Sequence, residues 1–532
     1  MSGDTYDYII VGAGSAGSVL ANRLTEDGRS RVLLLEAGPA SHPYTSLPIS
    51  FGLLIANPAA NWCYRSEPEE GTANREIPVP RGKVLGGSSA INGLVFVRGQ
   101  PLDYDTWAQF GNRGWSFDDV LPLFQRMENF EHGADDLRSQ GGPLNVVEAY
   151  DQSPLYDAIY AAGEELGHPR NPDYNGASQE GICKTQTTIR NGRRMSTAVT
   201  YLKPARSRPN LRIVTGALVH RVLLEGTKCV GVEYEAGGQK VQAKAGAEVI
   251  VSCGGVASPQ LLELSGIGRP DVLGEHGIEV RHALQGVGEN LRDHINARLM
   301  WRVTEPGLSY NDKARGLGLV WQVLRYATTR RGFLSLPSAP MLAFLKTRPE
   351  LETPDVQFHI CPFAVKDPTR RLLQPYPAIT ITCYQLRPES LGSIHVKSAD
   401  PKQHPAIRFN FLGDPIDQRT MIDGFRMVRG LANASAMDGY RGEEMSPGPG
   451  IESDDEILDW IRGNSETAYH PIGTCRMGSG DEAVVDERLR VHGLEGLRVA
   501  DASIMPTMVS GNTNAAAIMI GEKAADMIRA DN

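Results

Sequence analysis

Paired cysteines are missing from this sequence. Its seven cysteines are odd in number and scattered over 532 residues, and none belongs to a Cys-x-x-Cys motif. A disulfide framework needs an even set of cysteines, and zinc or iron–sulfur sites need closely spaced ligands. We therefore expect neither a disulfide-stapled fold nor a metal site.

Long apolar runs and an excess of positive charge are missing as well. No run approaches the roughly 18 apolar residues of a membrane helix. The first strand-like stretch begins at Tyr6, which leaves no room for a signal peptide. The formal net charge of −9 gives no reason to expect nucleic acid or an anionic membrane as a partner. We expect a cytoplasmic protein, with peripheral membrane association as the alternative.

The sequence does have length and many glycines. At 532 residues, with 57 glycines and 41% hydrophobic residues, it is too long for one hydrophobic core and typical of a loop-rich α/β protein. We expect two domains or one interleaved pair of domains.

The most informative stretch is Gly12–Gly17, which reads Gly-Ala-Gly-Ser-Ala-Gly. It lies between a β-rich run and a run with helical spacing, and a second apolar strand then ends at Glu36. In a dinucleotide-binding turn, Gly12 permits the tight turn, Gly14 allows a pyrophosphate to approach, and Gly17 lets helix and strand pack closely. The phosphates lie at the helix N-terminus, and Glu36 accepts from ribose hydroxyls. The alternative is an ordinary βα turn with Glu36 at the surface.

Two further glycine-rich stretches support this interpretation. Arg81–Gly93 contains adjacent Gly-Gly and Ser-Ser pairs, whose backbone N–H groups can converge on one small acceptor. The alternative for this stretch is an ordinary Gly-Ser turn. The apolar run 248–253 leads into Gly254-Gly255 and a helical pattern over 258–265, with Pro259 suited to the first turn. A second strand–Gly-Gly–helix unit so far along the chain predicts one doubly wound sheet assembled from distant segments.

The chain between about 300 and 455 has a different pattern. Period-two alternation predicts strands and helical spacing predicts helices, with strands at 355–360, 378–383 and 393–397 and helices at 317–326 and 422–431. This predicts a mostly antiparallel sheet of about six strands backed by helices. Earlier in the chain, the stretch 141–194 is turn-rich.

Five segments, taken in chain order, together resemble one family, the glucose–methanol–choline (GMC) oxidoreductases, which bind FAD. The segments are Gly12–Gly17 with Glu36, Arg81–Asn92, Gly254–Gly268, Gly286–His294 and Tyr469–Ile520. They span nearly the whole chain. The resemblance is closest to the bacterial choline, L-sorbose and aliphatic-alcohol dehydrogenases.

The resemblance implies an α/β fold (α+β overall) with a Rossmann-like FAD-binding domain and a substrate domain. We expect the FAD-binding domain to comprise 1–155, 196–300 and 459–532, the last part carrying the catalytic residues. Residues 156–195 are expected to form an excursion on the substrate side, and 301–458 the substrate-binding domain.

The resemblance also implies which residues hold FAD. The first glycine motif would contact the pyrophosphate, the stretch 86–92 would line the flavin and its phosphate tail, and residue 219 would meet adenine through its backbone. The helix that begins near residue 514 would place its positive end at the flavin. The complete predicted set is Gly12, Gly14, Ser15, Ala16, Gly17, Glu36, Ala37, Arg81, Gly86, Gly87, Ser88, Asn92, Gly93, Val95, Val219, Cys253, Gly254, Asp501, Ala502, Asn512, Thr513 and Asn514.

Two positions depart from the pattern of the family. Some members attach FAD covalently through a histidine, and Ile91 stands at that position here, so the resemblance implies non-covalent FAD. Arg292 stands where glutamine is usual, and we assign it no role.

A catalytic pair also follows from the resemblance. Oxidation of an alcohol by a flavin moves a hydride from carbon to flavin N5, and a base must take the hydroxyl proton. His470 matches the catalytic histidine, and imidazole titrates near neutral pH. Asn512 matches the second position, and because an amide cannot act as a base, we expect it to orient the substrate oxygen. We expect His294 to support the FAD-binding fold and assign no role to His359.

The sequence is compatible with several substrates and electron acceptors. We predict oxidation of a primary alcohol or a polyol, including a sugar alcohol, with a quinone-like or dye acceptor and oxygen as the alternative acceptor. The alternatives are a choline dehydrogenase or oxidase, which needs an acid or aromatic cage, and a lyase that uses FAD structurally. An NAD(P)-dependent dehydrogenase would share Gly12–Gly17 but would not explain Arg81–Asn92. The oligomeric state is not readable from the sequence.

Overall fold

The computed structural model describes residues 5–367 and 372–531. The helices are α1 Ser15–Leu24, α2 Phe51–Leu54, α3 Pro101–Gln109, α4 Phe117–Met127, α5 Pro154–Glu165, α6 Lys203–Ala205, α7 Gly254–Leu264, α8 Pro270–Glu275, α9 Tyr310–Lys313, α10 Gly316–Thr329, α11 Pro415–Asn433, α12 Asp454–Asn464 and α13 Asn514–Asp531. The strands are β1 Thr5–Val11, β2 Val32–Glu36, β3 Tyr64–Arg65, β4 Pro78–Val79, β5 Glu128–Phe130, β6 Leu144–Glu148, β7 Gly181–Lys184, β8 Gln186–Thr187, β9 Ile189–Arg190, β10 Arg193–Arg194, β11 Leu211–Thr215, β12 Ala217–Glu225, β13 Lys228–Ala236, β14 Gln239–Val251, β15 Ile267–Gly268, β16 His282–Ala283, β17 Ile295–Val303, β18 Met341–Leu345, β19 Val356–Cys361, β20 Val365–Asp367, β21 Leu372–Leu373, β22 Ala378–Gln385, β23 Ser393–His395, β24 Ala406–Arg408, β25 Arg441–Ser446, β26 Glu466–Thr467 and β27 Leu497–Val499.

The first large sheet has a parallel part built from distant segments. Its strand order is β11-β2-β1-β14, with β27 also paired to β14, and all of these pairs are parallel. The long strand β14 continues on its N-terminal side into an antiparallel meander with β13 and β12. Because β1, β2, β14 and β27 run in the same direction, their carboxyl ends meet at one edge, where an open α/β sheet binds its ligand. The predicted Rossmann-like sheet is confirmed.

The second large sheet is antiparallel throughout. Its order is β25-β17-β22-β19-β18-β7, with β26 paired to β17. Helix α11 packs against it so closely that a Cβ on Gly424 would lie 2.5 Å from the Cys383 sulfur. The predicted antiparallel sheet backed by helices is therefore confirmed. The segment 393–397 is not part of it, because β23 pairs with β24 in a separate two-stranded sheet.

Two local predictions are wrong. The turn-rich stretch 141–194 contains helix α5, which starts at a Ser153 cap that accepts a hydrogen bond from Leu155 N. Helix α7 begins at residue 254 rather than 258, so Pro259 lies inside it. The earlier start is stabilised by Asp501, whose carboxylate accepts a 2.8 Å hydrogen bond from Gly254 N across a long stretch of chain. Over the described chain, the structure contains no helix that is both long and apolar enough to cross a bilayer.

Candidate active site

One cavity of about 860 Å³ lies between the carboxyl edge of the first sheet and one face of the second. The predicted site residues line it, apart from two glycines at positions 17 and 86 that pack beside it. At its dinucleotide end it is lined by Gly12, Gly14, Ser15, Ala16, Glu36, Ala37, Gly87, Ser88, Val219, Cys253 and Gly254, and towards the second sheet by Arg81, Asn92, Gly93, Val95, His470, Asp501, Ala502, Asn512, Thr513 and Asn514.

Each of the three motif glycines is required for a different structural reason. Gly12 has φ +98°, and a Cβ there would lie 2.5 Å from the Ser252 carbonyl oxygen. A Cβ on Gly17 would lie 1.9 Å from the Gly12 carbonyl oxygen, so this glycine brings α1 against the turn. Gly14 is different, because a Cβ there would meet nothing within 4 Å. The space above Gly14 is open to the cavity, where a pyrophosphate would approach the backbone.

Two helix N-termini meet at this open space. Helix α1 has Gly14 as its N-cap, with no side chain bonded to its first N–H groups. The Ser15 hydroxyl donates a 2.7 Å hydrogen bond to the Asn514 side-chain oxygen, so α13 begins beside α1. Exposed N–H groups and the positive ends of both helices favour an anion here.

The acid at the end of β2 is fixed by backbone donors. Glu36 accepts hydrogen bonds from Ala13 N at 3.1 Å and Gly38 N at 2.8 Å. Burial raises the pKa of its carboxyl to about 7, although both N–H groups act in the opposite direction. The carboxyl faces the cavity, where it can accept from ribose hydroxyls.

The second glycine stretch lies against the first. A Cβ on Gly87 would lie 2.7 Å from the Gly14 Cα, so the two turns touch through their backbones. The Asn92 side-chain oxygen is held by Arg194 at 2.8 Å. Ile91 is buried and lines the cavity. Its hydrocarbon side chain has no nucleophilic atom for a covalent bond to a cofactor.

Asp501 differs from a simple cofactor ligand. Its carboxylate accepts from Gly254 N at 2.8 Å, the Ser258 hydroxyl at 2.6 Å and Ser503 N at 2.7 Å. These bonds join the C-terminal segment to α7 and use most of the acceptor capacity of the carboxylate. Asp501 therefore shapes the cavity wall as well as lining it.

A chain of four hydrogen-bonded groups sets the protonation of His470, the predicted base. His294 Nε2 lies 2.9 Å from the Leu386 carbonyl oxygen, which can only accept, so Nε2 carries the proton. In neutral His294, Nδ1 is then an acceptor, and it lies 2.9 Å from His470 Nδ1, which must donate. This leaves His470 Nε2 unprotonated, and its lone pair accepts from the Asn512 side-chain amide at 3.0 Å. We expected His294 to support the FAD-binding fold, and in the structure its ring also contacts His470, the predicted base.

The backbone of both histidines is fixed by one carboxylate. Asp293 Oδ1 accepts from His294 N at 2.7 Å and from His470 N at 2.9 Å. Its other oxygen accepts from the Thr467 hydroxyl. Tyr469, which precedes the histidine, has φ +72°, an uncommon conformation for a residue with a side chain. The backbone thus bends sharply to present His470.

Burial keeps these imidazoles neutral. The pKa of His470 lies well below its usual 6.5, first because the ring is buried and then because His294, His359 and Arg81 disfavour a further positive charge. Burial also lowers the pKa of His294 to about 4 and that of His359 to about 4. A buried imidazole with a free lone pair can accept a proton from a bound hydroxyl.

Asn512 is oriented from its other side. The Asn512 side-chain oxygen accepts from Gln357 Nε2 at 3.3 Å. Gln357 Nε2 also lies 3.0 Å from His359 Nε2. The Tyr384 hydroxyl also approaches His359 Nε2 at 3.3 Å. These contacts turn the Asn512 N–H groups towards His470.

The face of the second sheet supplies a polar wall. Thr382 on β22 pairs with Arg298 on β17 and with His359 on β19. Asn296 lies two positions before Arg298 on β17, on the same face of the strand. The side-chain oxygens of Asn296 and Thr382 are buried and have no hydrogen-bond partner among the described residues. Arg298 is paired with Glu466 at 2.8 Å. Buried acceptors that face a cavity without a partner are suited to hydroxyl groups of a ligand.

The dinucleotide groove and the neutral imidazole share one cavity, an arrangement expected of a dinucleotide-dependent oxidoreductase. Models of the GMC oxidoreductase family match residues 6–296 and 388–521. The chain belongs to the GMC oxidoreductase family. The open backbone at Gly14, the two helix N-termini and the size of the cavity fit the FAD of this family.

Individual relatives agree with this assignment. The chain is 42% identical to the oxygen-dependent choline dehydrogenase of Brucella anthropi over 98% of its own length and 95% of that protein. It resembles the crystal structure of pyridoxine 4-oxidase from Mesorbium loti with a TM-score of 0.90, 31% identity and coverage of 98% of this chain and 99% of that one. An FAD-dependent oxidoreductase from Chaetomium thermophilum gives a TM-score of 0.90, 27% identity and 99% coverage of both chains.

The sequence did not predict several side chains around His470. Gln357, Tyr384 and Arg298 lie on strands with ordinary alternating patterns, and nothing local distinguishes them from core or wall residues. Arg292 does not line the cavity; it donates to the Pro388 carbonyl oxygen and pairs with Glu389 at 3.5 Å. Among the described residues, no cluster of three or more His, Cys, Asp or Glu is arranged to hold a metal ion.

Proposed function

We propose that this chain oxidises a neutral alcohol, either a primary alcohol or a polyol, to the aldehyde or ketone, with non-covalent FAD and with His470 as the base. One observation carries the proposal: the lone pair of His470 Nε2 points to Asn512 in a cavity continuous with the dinucleotide groove. FAD, when bound, supplies the hydride acceptor.

The side chains of the protein handle the proton. The alcohol hydroxyl replaces the Asn512 amide as the donor to His470 Nε2, and this nitrogen takes the proton as the hydride leaves carbon. The freed Asn512 N–H donates to the alcohol oxygen and stabilises the negative charge that develops there. His470 Nδ1–H stays bonded to His294, so the ring keeps its orientation while it becomes positive.

The charges of the cavity favour a neutral substrate. The carboxylates among its described lining residues are Glu36, Glu466 and Asp501. Glu36 and Asp501 are held by backbone and hydroxyl donors, and Glu466 is paired with Arg298. A quaternary ammonium would therefore find each acid already engaged and would depend on aromatic lining residues such as Trp62 and Tyr469. The polar wall at Asn296 and Thr382 instead offers acceptors for additional hydroxyl groups.

Choline is the second candidate. It is favoured by the 42% identity to a protein described as an oxygen-dependent choline dehydrogenase. For the electron acceptor we propose a quinone-like compound or a dye, with oxygen as the alternative that the description of this relative supports.

A substrate panel tests the proposal. Purified protein with FAD is assayed with a dye acceptor against straight-chain primary alcohols, polyols and choline, and kcat/KM is compared. We expect a neutral alcohol to exceed choline by at least tenfold. A kcat/KM for choline above that of every neutral alcohol would replace our proposal with the second candidate. Turnover of no alcohol, with FAD bound, would contradict both.

A further inference from the structure

Helix α10 displays an apolar stripe to solvent. Leu317, Val320, Trp321 and Leu324 follow the spacing i, i+3, i+4, i+7 and therefore share one face. These four side chains are 88%, 55%, 63% and 55% exposed, respectively. Trp321 in particular exposes a large apolar surface that a water-facing helix seldom carries.

The opposite face fixes the helix in this orientation. The Gln322 side chain accepts a 3.1 Å hydrogen bond from Phe333 N. Tyr326 is buried, and its hydroxyl donates to the Gly192 carbonyl oxygen at 2.9 Å. The stripe is thus held outwards by one contact to the segment just after the helix and one to Gly192, which is far away in sequence.

The charge around the helix is opposite in sign to that of the whole chain. The segment 312–331 contains the basic residues Lys313, Arg315, Arg325, Arg330 and Arg331, with Asp312 as its single acid, whereas the chain carries −9. The four arginines are exposed. An apolar stripe flanked by arginines is typical of a helix that lies in a membrane interface.

The helix also lies at the mouth of the catalytic cavity. Leu319, in its first turn, and Ala314, which precedes it, line that cavity together with Phe333 and Leu334. Leu53, which lines the same opening, is 61% exposed. The rim of the cavity is thus apolar on two sides.

We propose that α10 binds the surface of an anionic phospholipid bilayer, with its apolar stripe in the headgroup region and its arginines on lipid phosphates. The cavity mouth then faces the bilayer, so apolar compounds dissolved there reach it without crossing water. The negative net charge of the whole chain gave no reason to expect an anionic membrane. The local charge of the segment decides the contact, however, because charges beyond about 8–10 Å are screened. This binding does not depend on the proposed alcohol oxidation.

A second copy of the chain fits the helix less well. One face of a 14-residue helix covers about 200 Å², from a rise of about 1.5 Å per residue and a width of about 10 Å, against about 800 Å² per partner in a stable interface. Pairing two such helices would also bring their arginines together. A lipid surface needs no matching shape and supplies the opposite charge.

Vesicle sedimentation tests this proposal with the full-length protein loaded with FAD. Vesicles that mix phosphatidylcholine with the anionic lipid phosphatidylglycerol are compared with vesicles of pure phosphatidylcholine, at low and at high salt. We expect at least tenfold stronger partitioning to the anionic vesicles, and a loss of most of it at high salt. Equal partitioning to both vesicles, or none to either, would overturn the proposal.

A matched pair of variants distinguishes binding by the stripe from nonspecific hydrophobic binding. The triple variant Leu317→Ser, Trp321→Ser, Leu324→Ser should lower partitioning at least tenfold. The control variant Phe110→Ser, Ile416→Ser removes apolar side chains that are 57% and 52% exposed elsewhere and should bind like wild type. Flavin absorbance and thermal melting verify that both fold. A wild type that is dimeric in ultracentrifugation, with a monomeric triple variant and no vesicle binding, would assign the stripe to a second copy.

Discussion

At the scale of single residues, the lone pair on His470 Nε2 results from a contact that is far away in sequence. The Leu386 carbonyl fixes the proton of His294 on Nε2, and His294 in turn takes the Nδ1–H of His470. The tautomer of the proposed base is thus set by the Leu386 carbonyl, which contacts it through His294. We propose that His294 is a positioning residue, because it would act through His470.

Replacement of His294 tests this role. His294→Ala should lower kcat/KM by roughly tenfold or more, the cost of about one lost hydrogen bond, while FAD stays bound. His294→Asn retains an acceptor and should recover part of the loss. The acid limb of the pH profile should also move in the alanine variant, because His294 is one of the groups that set the pKa of His470. Equal effects of both variants, with an unchanged profile, would point to a purely structural role.

The lowered pKa of His470 predicts the pH dependence of the wild type. Burial, His294, His359 and Arg81 all disfavour the charged ring, so the neutral base exists above a folded pKa that lies well below 6.5. Activity should therefore be present at neutral pH and be lost only as the pH falls through that lower value. The measurement is kcat/KM against pH with an alcohol that does not ionise. An acid limb at 6.5 or above would contradict the buried environment.

At the scale of elements, the turn before α1 separates two roles of glycine. Gly14→Ala places a methyl group where nothing lies within 4 Å, so the fold should keep its stability while the approach of the pyrophosphate is blocked. Gly17→Ala places a methyl group 1.9 Å from the Gly12 carbonyl oxygen, so it should destabilise the protein by about 1–3 kcal/mol.

The two variants are compared by FAD titration and by melting of the apoprotein. Gly14→Ala should bind FAD at least tenfold more weakly and melt like wild type, whereas Gly17→Ala should melt at a lower temperature without FAD. If Gly14→Ala bound FAD normally, the open space above the turn would not be the pyrophosphate site.

Elements with strong local signals could be predicted, and others could not. Strands β1, β2 and β19 and helix α10 have clear periodicity and lie close to their predicted positions. The start of α7 depends on Asp501, which is 247 positions away, and no local pattern reveals such a partner. Helix α5 did have a signal, a serine cap followed by proline, within a stretch otherwise rich in turn residues.

At the scale of the whole molecule, the site is assembled from the two ends of the chain. Ser15 bonds to Asn514 at 2.7 Å, and Arg23 pairs with buried Glu522 at 2.9 Å. The glycine motifs and the histidine motif predicted the cavity residues because the family resemblance spans these segments. The neighbours of His470 on the second sheet could not be predicted, because strand register decides which side chains face it. The domain boundaries stay a prediction.

Because both ends of the chain meet at the cofactor cavity, FAD should stabilise the whole protein. Removal of FAD should lower Tm, and adding it back should raise Tm with concentration, by about 2.7 kcal/mol of unfolding free energy at 100 times Kd. The measurement is a melting series of deflavinated protein against FAD. A Tm that does not change with FAD would show that FAD binding does not stabilise the folded protein.

The most direct test of the central claim is anaerobic mixing of the FAD-loaded protein with its best alcohol, followed by flavin absorbance in a stopped-flow instrument. We predict that the alcohol bleaches the wild-type flavin and that His470→Ala, with FAD still bound, is slower by about 10²–10⁴-fold, as expected for loss of a general base. Bleaching of His470→Ala at the wild-type rate would contradict the account, because the proton would then be taken by another group.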